Sequence, residues 1–368
     1  MSEQELTQKV VDGRIWAEFC DHLKRAGEQV LRPEAPADAF NRAEGWRYLT
    51  RLTRIALDMF VECNDPDFPT FYRPSHETAK IGADNPDNLY LRAQVNGRHD
   101  YRIVGTRGSV HYLGFVTMAG GYGEDGRNLL TGSLDTAGDL EVGPDGQVEV
   151  ILSSTPKPGN WVPMTEASNT VLVRQTFLDR NGERPAELTI ERIGAQESPE
   201  PLDPAQLARN LQATTAFVEG TARLFADWSA SYLARPNELP PADQELCQSV
   251  GGDPNIFYYH SYFELAEDEA LVVEVERIPD CQTWNLQVDN YWMESLDYRY
   301  HTIHINKHSA ELNADGSLRI LITERDPGLP NWLTTAGHRN GTLCFRWIGA
   351  SEQVHPRTRV VKVSELTA

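Results

Sequence analysis

Apolar residues recur at helical spacing in three stretches of the chain. From about Asp12 to Leu31 they fall at Ile15, Trp16, Phe19, Leu23, Ala26 and Val30. From about Asp38 to Cys63 they fall at Phe40, Trp46, Leu49, Leu52, Ile55, Ala56, Met59 and Phe60. The third stretch, 204–234, carries Leu207, Leu211, Phe217, Val218, Leu224, Phe225, Trp228 and Tyr232. This spacing predicts amphipathic helices. Pro33, Asn64-Asp65-Pro66 and Pro236 supply stops, and Asp203-Pro204 a start. Residues 1–11 are polar and read as frayed.

Elsewhere the period shortens to two, or the chain runs apolar for only a few residues, and strands are predicted. Tyr90–Val95, Asn96-Gly97 and Tyr101–Val104 read as a hairpin, with a further strand at His111–Met118. Later strands are expected at Ile256–Glu264, Ala270–Arg277, Thr283–Val288, Tyr298–Asn306, Leu318–Thr323, Gly341–Trp347 and Arg359–Val363.

One pattern occurs twice. Asp145-Gly146 is followed by Val148, Val150, Ile151 and Leu152, a Pro/Gly turn, Asn160-Trp161 and Arg174. Asp315-Gly316 is followed by Leu318, Ile320, Leu321 and Ile322, a Pro/Gly turn, Asn331-Trp332 and Arg346. Such self-similarity indicates a repeated structural unit, and Asp-Gly between extended runs reads as a hairpin turn. Asn160 and Asn331 are expected to form turns, and Trp161 and Trp332 to plug or cover a sandwich end.

The predicted fold is therefore mainly β with accessory α. It comprises an N-terminal helical segment and loop (1–87), a first antiparallel β-sandwich (88–195), a linker with a long helix (196–249) and a second sandwich or jelly roll (250–368).

Composition narrows the function by exclusion. The 368 residues carry 34 Lys+Arg against 54 Asp+Glu, a net charge of -20. Such a surface repels nucleic acid and anionic membrane, so neither is expected as a partner. The odd, scattered Cys20, Cys63, Cys247, Cys281 and Cys344 lack a Cys-x-x-Cys pair. They suggest a reducing cytoplasm with no disulfide framework or structural zinc. The glycine-rich run Met118–Asn128 is not followed by a helix bearing a Walker lysine, and reads as a β-connection.

The segment Trp284–Arg346 resembles the uncharacterised family known as domain of unknown function 1214. The resemblance rests on Asn290-Tyr291-Trp292, Asp315-Gly316-Ser317, Asn331-Trp332-Leu333, Gly337 and Arg346. It implies a jelly-roll β-domain, often with a second β-domain upstream. It implies no activity and assigns no catalytic residue.

Candidate chemistry concentrates on the stretch Tyr298–His308. On a regular strand Tyr298, Tyr300, Thr302, His304, Asn306 and His308 share one face, as a solvent face or as the lining of a cleft. In the cleft reading His304, with Tyr300 and Asn306, is the catalytic group, because imidazole exchanges protons near neutral pH. Trp292, Tyr298, Trp284 and Arg325 are then the ligand-binding residues, with the aromatics as stacking surfaces. No metal site is expected: His301 and His304 point to opposite faces, and His304 and His308 stand about 13 Å apart. No cofactor is implied, and no Gly-x-Ser-x-Gly elbow marks a nucleophile.

Two readings follow. One is an enzyme acting by acid–base chemistry on a neutral or weakly polar small molecule or sugar. The other is a non-catalytic glycan- or ligand-binding or assembly protein, with the N-terminal apolar helix faces as a homo-oligomer contact.

Overall fold

A computed structural model describes residues 1–121 and 127–366. The centre of the glycine-rich run, and with it the expected β-connection, lies outside the described residues. Helices α1 (Glu3–Val11), α2 (Arg14–Ala26) and α3 (Ala39–Leu57) precede eight strands. These are β1 (Asn88–Gln94), β2 (Tyr101–Thr106), β3 (Tyr112–Gly121), β4 (Arg127–Asp135), β5 (Gln147–Ser153), β6 (Trp161–Pro163), β7 (Thr170–Thr176) and β8 (Glu187–Arg192). Helices α4 (Pro204–Tyr232) and α5 (Gln244–Ser249) follow. The second set is β9 (Ile256–Glu264), β10 (Glu269–Val275), β11 (Thr283–Asp289), β12 (His304–Asn306), β13 (Leu318–Ile322), β14 (Trp332–Leu333), β15 (Asn340–Ile348) and β16 (Arg357–Lys362).

The two strand sets have one topology. The first forms sheets ordered β1-β7-β3-β4 and β6-β5-β2-β8. The second forms β9-β15-β11-β12 and β14-β13-β10-β16, the same order with every label advanced by eight. Each pair of sheets encloses its own core, since alternate residues of every inner strand must leave water. Ile103, Phe115, Val150, Val171 and Val173 are among those filling the first. Trp284, Leu286, Val288, Phe345 and Trp347 are among those filling the second. The fold is thus mainly β, with two repeated sandwich domains, N-terminal helices and a helix between the strand sets.

The repeated motif has a common geometry. Asn160 accepts from the Glu141 amide through Oδ1 at 2.7 Å and donates through Nδ2 to the carbonyls of Glu141 and Glu149. Asn331 does the same with the Glu311 amide at 2.8 Å and the carbonyls of Glu311 and Arg319. Each asparagine ties an incoming segment to a strand, satisfying backbone groups that the parallel pairs β5–β6 and β13–β14 leave over. The half-buried Trp161 and Trp332 donate their indole N–H to the carbonyls of Ser153 and Thr323, both at 3.0 Å. In the second copy Pro330 stands where the first has Gly159. Gly159 (φ 73) and Gly328 (φ 72) are left-handed in the two Pro-Gly turns, and in the second copy Asn331 (φ 57), a residue type that tolerates it, is left-handed as well.

Several expected elements differ. The Asp-Gly turns are not hairpins: Gly143 N–H bonds Gln147 O and Asn313 N–H bonds Ser317 O, so each turn closes on the approach to a single strand. Asn96-Gly97 likewise leads from β1 in one sheet to β2 in the other. Residues 3–11 are helical because Ser2 and Glu5 form a reciprocal capping box and Leu6 is buried. Only His304–Asn306 of the expected strand Tyr298–Asn306 is extended. Asp297 folds the preceding residues into a turn, accepting the amides of Tyr300 and His301 on its carbonyl.

By contacts the chain divides into two compact units, Met1–Gln29, Leu49–Ala79 and Asn88–Arg223 in one, and Val30–Tyr48, Lys80–Asp87 and Leu224–Ala368 in the other. The first 87 residues therefore contribute to both units. Among the described residues no helix is long and apolar enough to cross a membrane.

The asparagine brace is testable by urea denaturation. Asn331→Ala removes three hydrogen bonds to the backbone and places alanine at positive φ, for an expected loss of about 2–4 kcal/mol. Asn331→Asp keeps the accepting oxygen and should lose less. An unchanged midpoint for Asn331→Ala would rule the brace out as a stabilising contact.

Candidate functional site

The outer face of the β12-β11-β15-β9 sheet departs from the rule that such faces are solvated. Trp284, Leu286 and Val288 of β11 point into the core, which turns Asn285, Gln287 and Asp289 outward. Register then builds rows across the sheet. His304, Gln287, Cys344 and His260 align, as do Asn306, Asn285, Arg346 and Tyr258, and Asp289 aligns with Thr342 and Tyr262. Nearly all these side chains are buried, Asn285, Gln287, Asp289 and Thr342 completely.

A strap, Lys80–Asp87, covers them in the same compact unit. Lys80 donates to the carbonyls of Ser295 and Leu296. Asp84 accepts from the amide and hydroxyl of Ser295, and its carbonyl accepts from Gln287 Nε2 at 2.9 Å. Arg346 reaches Gln287 Oε1 at 2.6 Å, Asn285 Oδ1 at 3.3 Å and Ala83 O at 2.5 Å. Gly82 and Ala83 take positive φ (59 and 53) to present that carbonyl.

Asp87 ends the strap in a cradle of donors. Oδ2 accepts from Asn285 Nδ2 at 2.9 Å, while Oδ1 accepts from Asn306 Nδ2 at 2.9 Å and lies 3.2 Å from His304 Nε2. Burial opposes ionisation of this carboxyl. The hydrogen bond and charge of His304, joined by Asn285 and Asn306, outweigh it and hold the pKa below the ordinary value. The His304 side chain keeps 22% of its surface exposed while that of Asp87 keeps 6%, so the pair links solvent to the buried network.

On this sheet face, Asp289 and His260 each keep a buried atom without a hydrogen-bond partner among the described residues. Asp289 receives Gln287 Nε2 on Oδ1 at 2.6 Å, but its Oδ2 has no hydrogen bond among the described residues. Burial lifts its pKa to about 7, aided by Asp84 and opposed by Gln287, Arg346 and Lys80. His260, whose Nδ1 is also unpartnered, lies parallel to the rings of Tyr232 and Tyr258 and is pushed by burial down to about 3. It is a neutral core ring.

Of the candidate site residues, His304, Asn306 and Tyr298 come together. Tyr298 meets the His304 ring edge-on at 6.4 Å, beneath Lys80 Nζ at 4.8 Å. Asn306 holds Asp87 and stands buried. Tyr300 is elsewhere, 78% exposed on the turn with the Arg299 guanidinium at 5.2 Å. Trp284 stacks on Phe345 and meets Trp347 edge-on in the core. Trp292 is buried beside Tyr48, with its indole N–H on Asn41 O and Gly45 of α3 so close that a Cβ there would meet its ring at 2.7 Å. Neither tryptophan offers a stacking surface. Arg325 is exposed and paired with Glu267.

Asp87, Asp289, Gln287 and the site role of Arg346 were missed in the sequence. The available signal was the alternation of β11, Trp-Asn-Leu-Gln-Val-Asp, whose polar half has no counterpart in the first sandwich. By register with Arg174, Leu172 and Thr170, the equivalent residues of β3 are Gly114, Val116 and Met118. Among the described residues no group of three or more His, Cys, Asp or Glu is placed to hold a metal ion.

A family model described as a protein of unknown function, DUF1214, matches residues 263–352, which include β11, β12 and β15. Among solved structures the chain is similar to an uncharacterised protein from Burkholderia cenocepacia. Identity is 60%, covering 98% of this chain and 100% of that one, with a TM-score of 0.96. It also matches the VPA0106 protein from Vibrio parahaemolyticus at 12% identity, over 87% of this chain and 98% of that one, with a TM-score of 0.49. No curated protein matches.

Asp289 makes stability depend on pH in a defined direction. Between about 4 and 7 the folded state holds a proton that the unfolded chain has lost, so stability falls as pH rises through that window. Asp289→Asn removes the titration. Its melting temperature relative to the parent should rise from pH 5 to pH 8, by the equivalent of roughly 2–4 kcal/mol. A constant difference across that range would show that Asp289 is ionised throughout.

Proposed function

Residues 263–352 match the DUF1214 family, described as a protein of unknown function, and we propose an acid–base site at His304 acting on a neutral or weakly polar small molecule or sugar. The observation that carries this reading is the Asp87–His304 pair. A buried carboxylate fixed by two amide donors holds one imidazole nitrogen, Nε2. That leaves Nδ1, on a ring with solvent access, to take or give a proton. Asp87 is the positioning residue, and Asn285 and Asn306 keep its carboxylate oriented. Tyr298 supplies the aromatic wall beside the ring. Tyr300 and Arg325, both exposed, are given no role in the proton transfer on this reading. The reading involves neither nucleic acid nor membrane.

A metabolite-library thermal-shift screen followed by turnover assays tests the proposal. His304→Ala should lower kcat by roughly two to four orders of magnitude, the range for a general acid or base. Asp87→Asn should lower kcat with a smaller change in KM, and Tyr300→Phe should leave both unchanged. Turnover insensitive to His304→Ala would overturn the reading. Binding without turnover would favour a non-catalytic ligand-binding role.

A further inference from the structure

We propose that the outer face of the β6-β5-β2-β8 sheet binds a neutral oligosaccharide, at a site that does not depend on the acid–base reading of His304. Side chains alternate along a strand, so Tyr101, Ile103, Val150 and Leu152 enter the core of the first sandwich and their neighbours turn outward. Register then places Ile151, Arg102 and Glu191 in one row across three strands. A trough of about 900 Å³ lies over this row, with Glu149, Ile190, Arg192 and the segments 67–70 and 193–196 completing its lining. All of these residues belong to one compact unit. A second trough of about 330 Å³ shares Glu149 and Ile151 with the first. Together they have the capacity of a small-molecule cleft and the continuity that a chain-like occupant needs.

The second sandwich treats the same row differently. There it reads Leu321, Val272 and Arg359, and Leu321 and Val272 are completely buried. The first copy keeps open, and lines with polar groups, a row that the second closes with aliphatic ones. Those polar groups are only partly used. Arg102 donates through Nε and Nη2 to one oxygen of Glu191, Oε1, at 2.8 and 2.5 Å. Arg102 Nη1, Glu191 Oε2 and the Glu149 carboxylate make no hydrogen bond among the described residues. Arg192 reaches Asp67 Oδ1 at 2.5 Å and Gly194 O at 3.4 Å, which ties the segment 67–70 to β8. Its buried Nε has no partner among the described residues. Apolar surface lies between these groups, from the half-buried Phe68 and Ile151 and from the exposed Ile193.

The occupant follows from this lining. An extended peptide adds to a sheet at its edge, where backbone N–H and C=O groups point, whereas a trough crossing a sheet face offers side chains. A charged ligand of either sign is opposed, an anion by Glu149 and a cation by Arg102 and Arg192. A hydroxyl group both donates and accepts, so it serves the spare carboxylate oxygens and the spare guanidinium N–H groups alike. The C–H faces of sugar rings cover Phe68, Ile151 and Ile193. Two connected troughs suit several linked rings better than one.

The test is an array of neutral and acidic oligosaccharides probed with the full-length protein, followed by calorimetric titration of the glycan that binds. Binding to neutral glycans longer than a disaccharide is expected. Arg102→Ala and Glu149→Ala should each weaken it roughly tenfold or more, the effect of losing a hydrogen bond to a charged group, with folding checked by circular dichroism. Glu149→Gln keeps an accepting oxygen and should stay near the parent affinity. His304→Ala should bind the glycan as the parent does, so failure here would be distinct from failure of the acid–base reading. An array on which only acidic glycans bind, or none do, would overturn the proposal. So would affinity unchanged in both alanine variants, or lost in His304→Ala.

Discussion

The second sandwich depends on one buried cation. Arg346 stands in the middle of a sheet face from which water is excluded, where an unpaired guanidinium would be prohibitively costly. Its neighbours are selected accordingly: Asn285 and Gln287 turn oxygens toward it, and Ala83 bends its backbone to bring a carbonyl. Those amides then have N–H groups to place, and these reach Asp87, Asp289 and Asp84 O. One charge thus propagates a requirement for hydrogen bonds across three strands and a loop, ending at the partly exposed His304. In a low dielectric such a network is strong only when nearly every member is satisfied, which is why the Asp289 Oδ2 and His260 Nδ1 exceptions stand out.

The first sandwich carries an arginine at the equivalent position but not the network. Arg174 faces Tyr90 as Arg346 faces Tyr258, and the cross-strand partner is Gly114 in place of Asn285. The aromatic partner and the arginine were retained between copies, while the amides were not. The asparagine brace was retained in full, even through the one-residue length change between the copies. Features common to both copies organise strands; features confined to the second organise charge.

Much of the fold could be read from the sequence because its determinants are local. Period-two runs located most strands, the duplicated Asp-Gly and Asn-Trp signals located the repeat, and proline stops bounded the helices. Pairing was less legible. Asn96-Gly97 has a strong local preference for a tight turn, but whether that turn joins neighbours or crosses between sheets depends on which distant strands offer free edges. Tyr298–His308 looked extended because its residues alternate, and the Asp297 turn competes successfully for the first half. Of the site, His304 was identifiable by its chemistry. Its partner was not: Asp87 is one of 54 acidic residues, more than two hundred positions away, in a loop whose composition resembles any surface connection. Trp284 and Trp292 carried a signal equally consistent with stacking and with packing, and burial decided for packing.

The provenance of the strap has a consequence for how this protein can be divided. The span recognised as a family, 263–352, contains Arg346 but none of the residues that close over it. Its lid comes from 80–87 and Trp292 is packed by 30–48, whereas the chain on either side of the lid belongs to the other compact unit. The C-terminal half expressed alone would be a sandwich with a polar face designed for a cover it does not possess. One such chain and a detached N-terminal fragment have the parts to complete one another. The divided molecule is therefore a natural substrate for fragment complementation, with restored burial of Arg346 as the driving force.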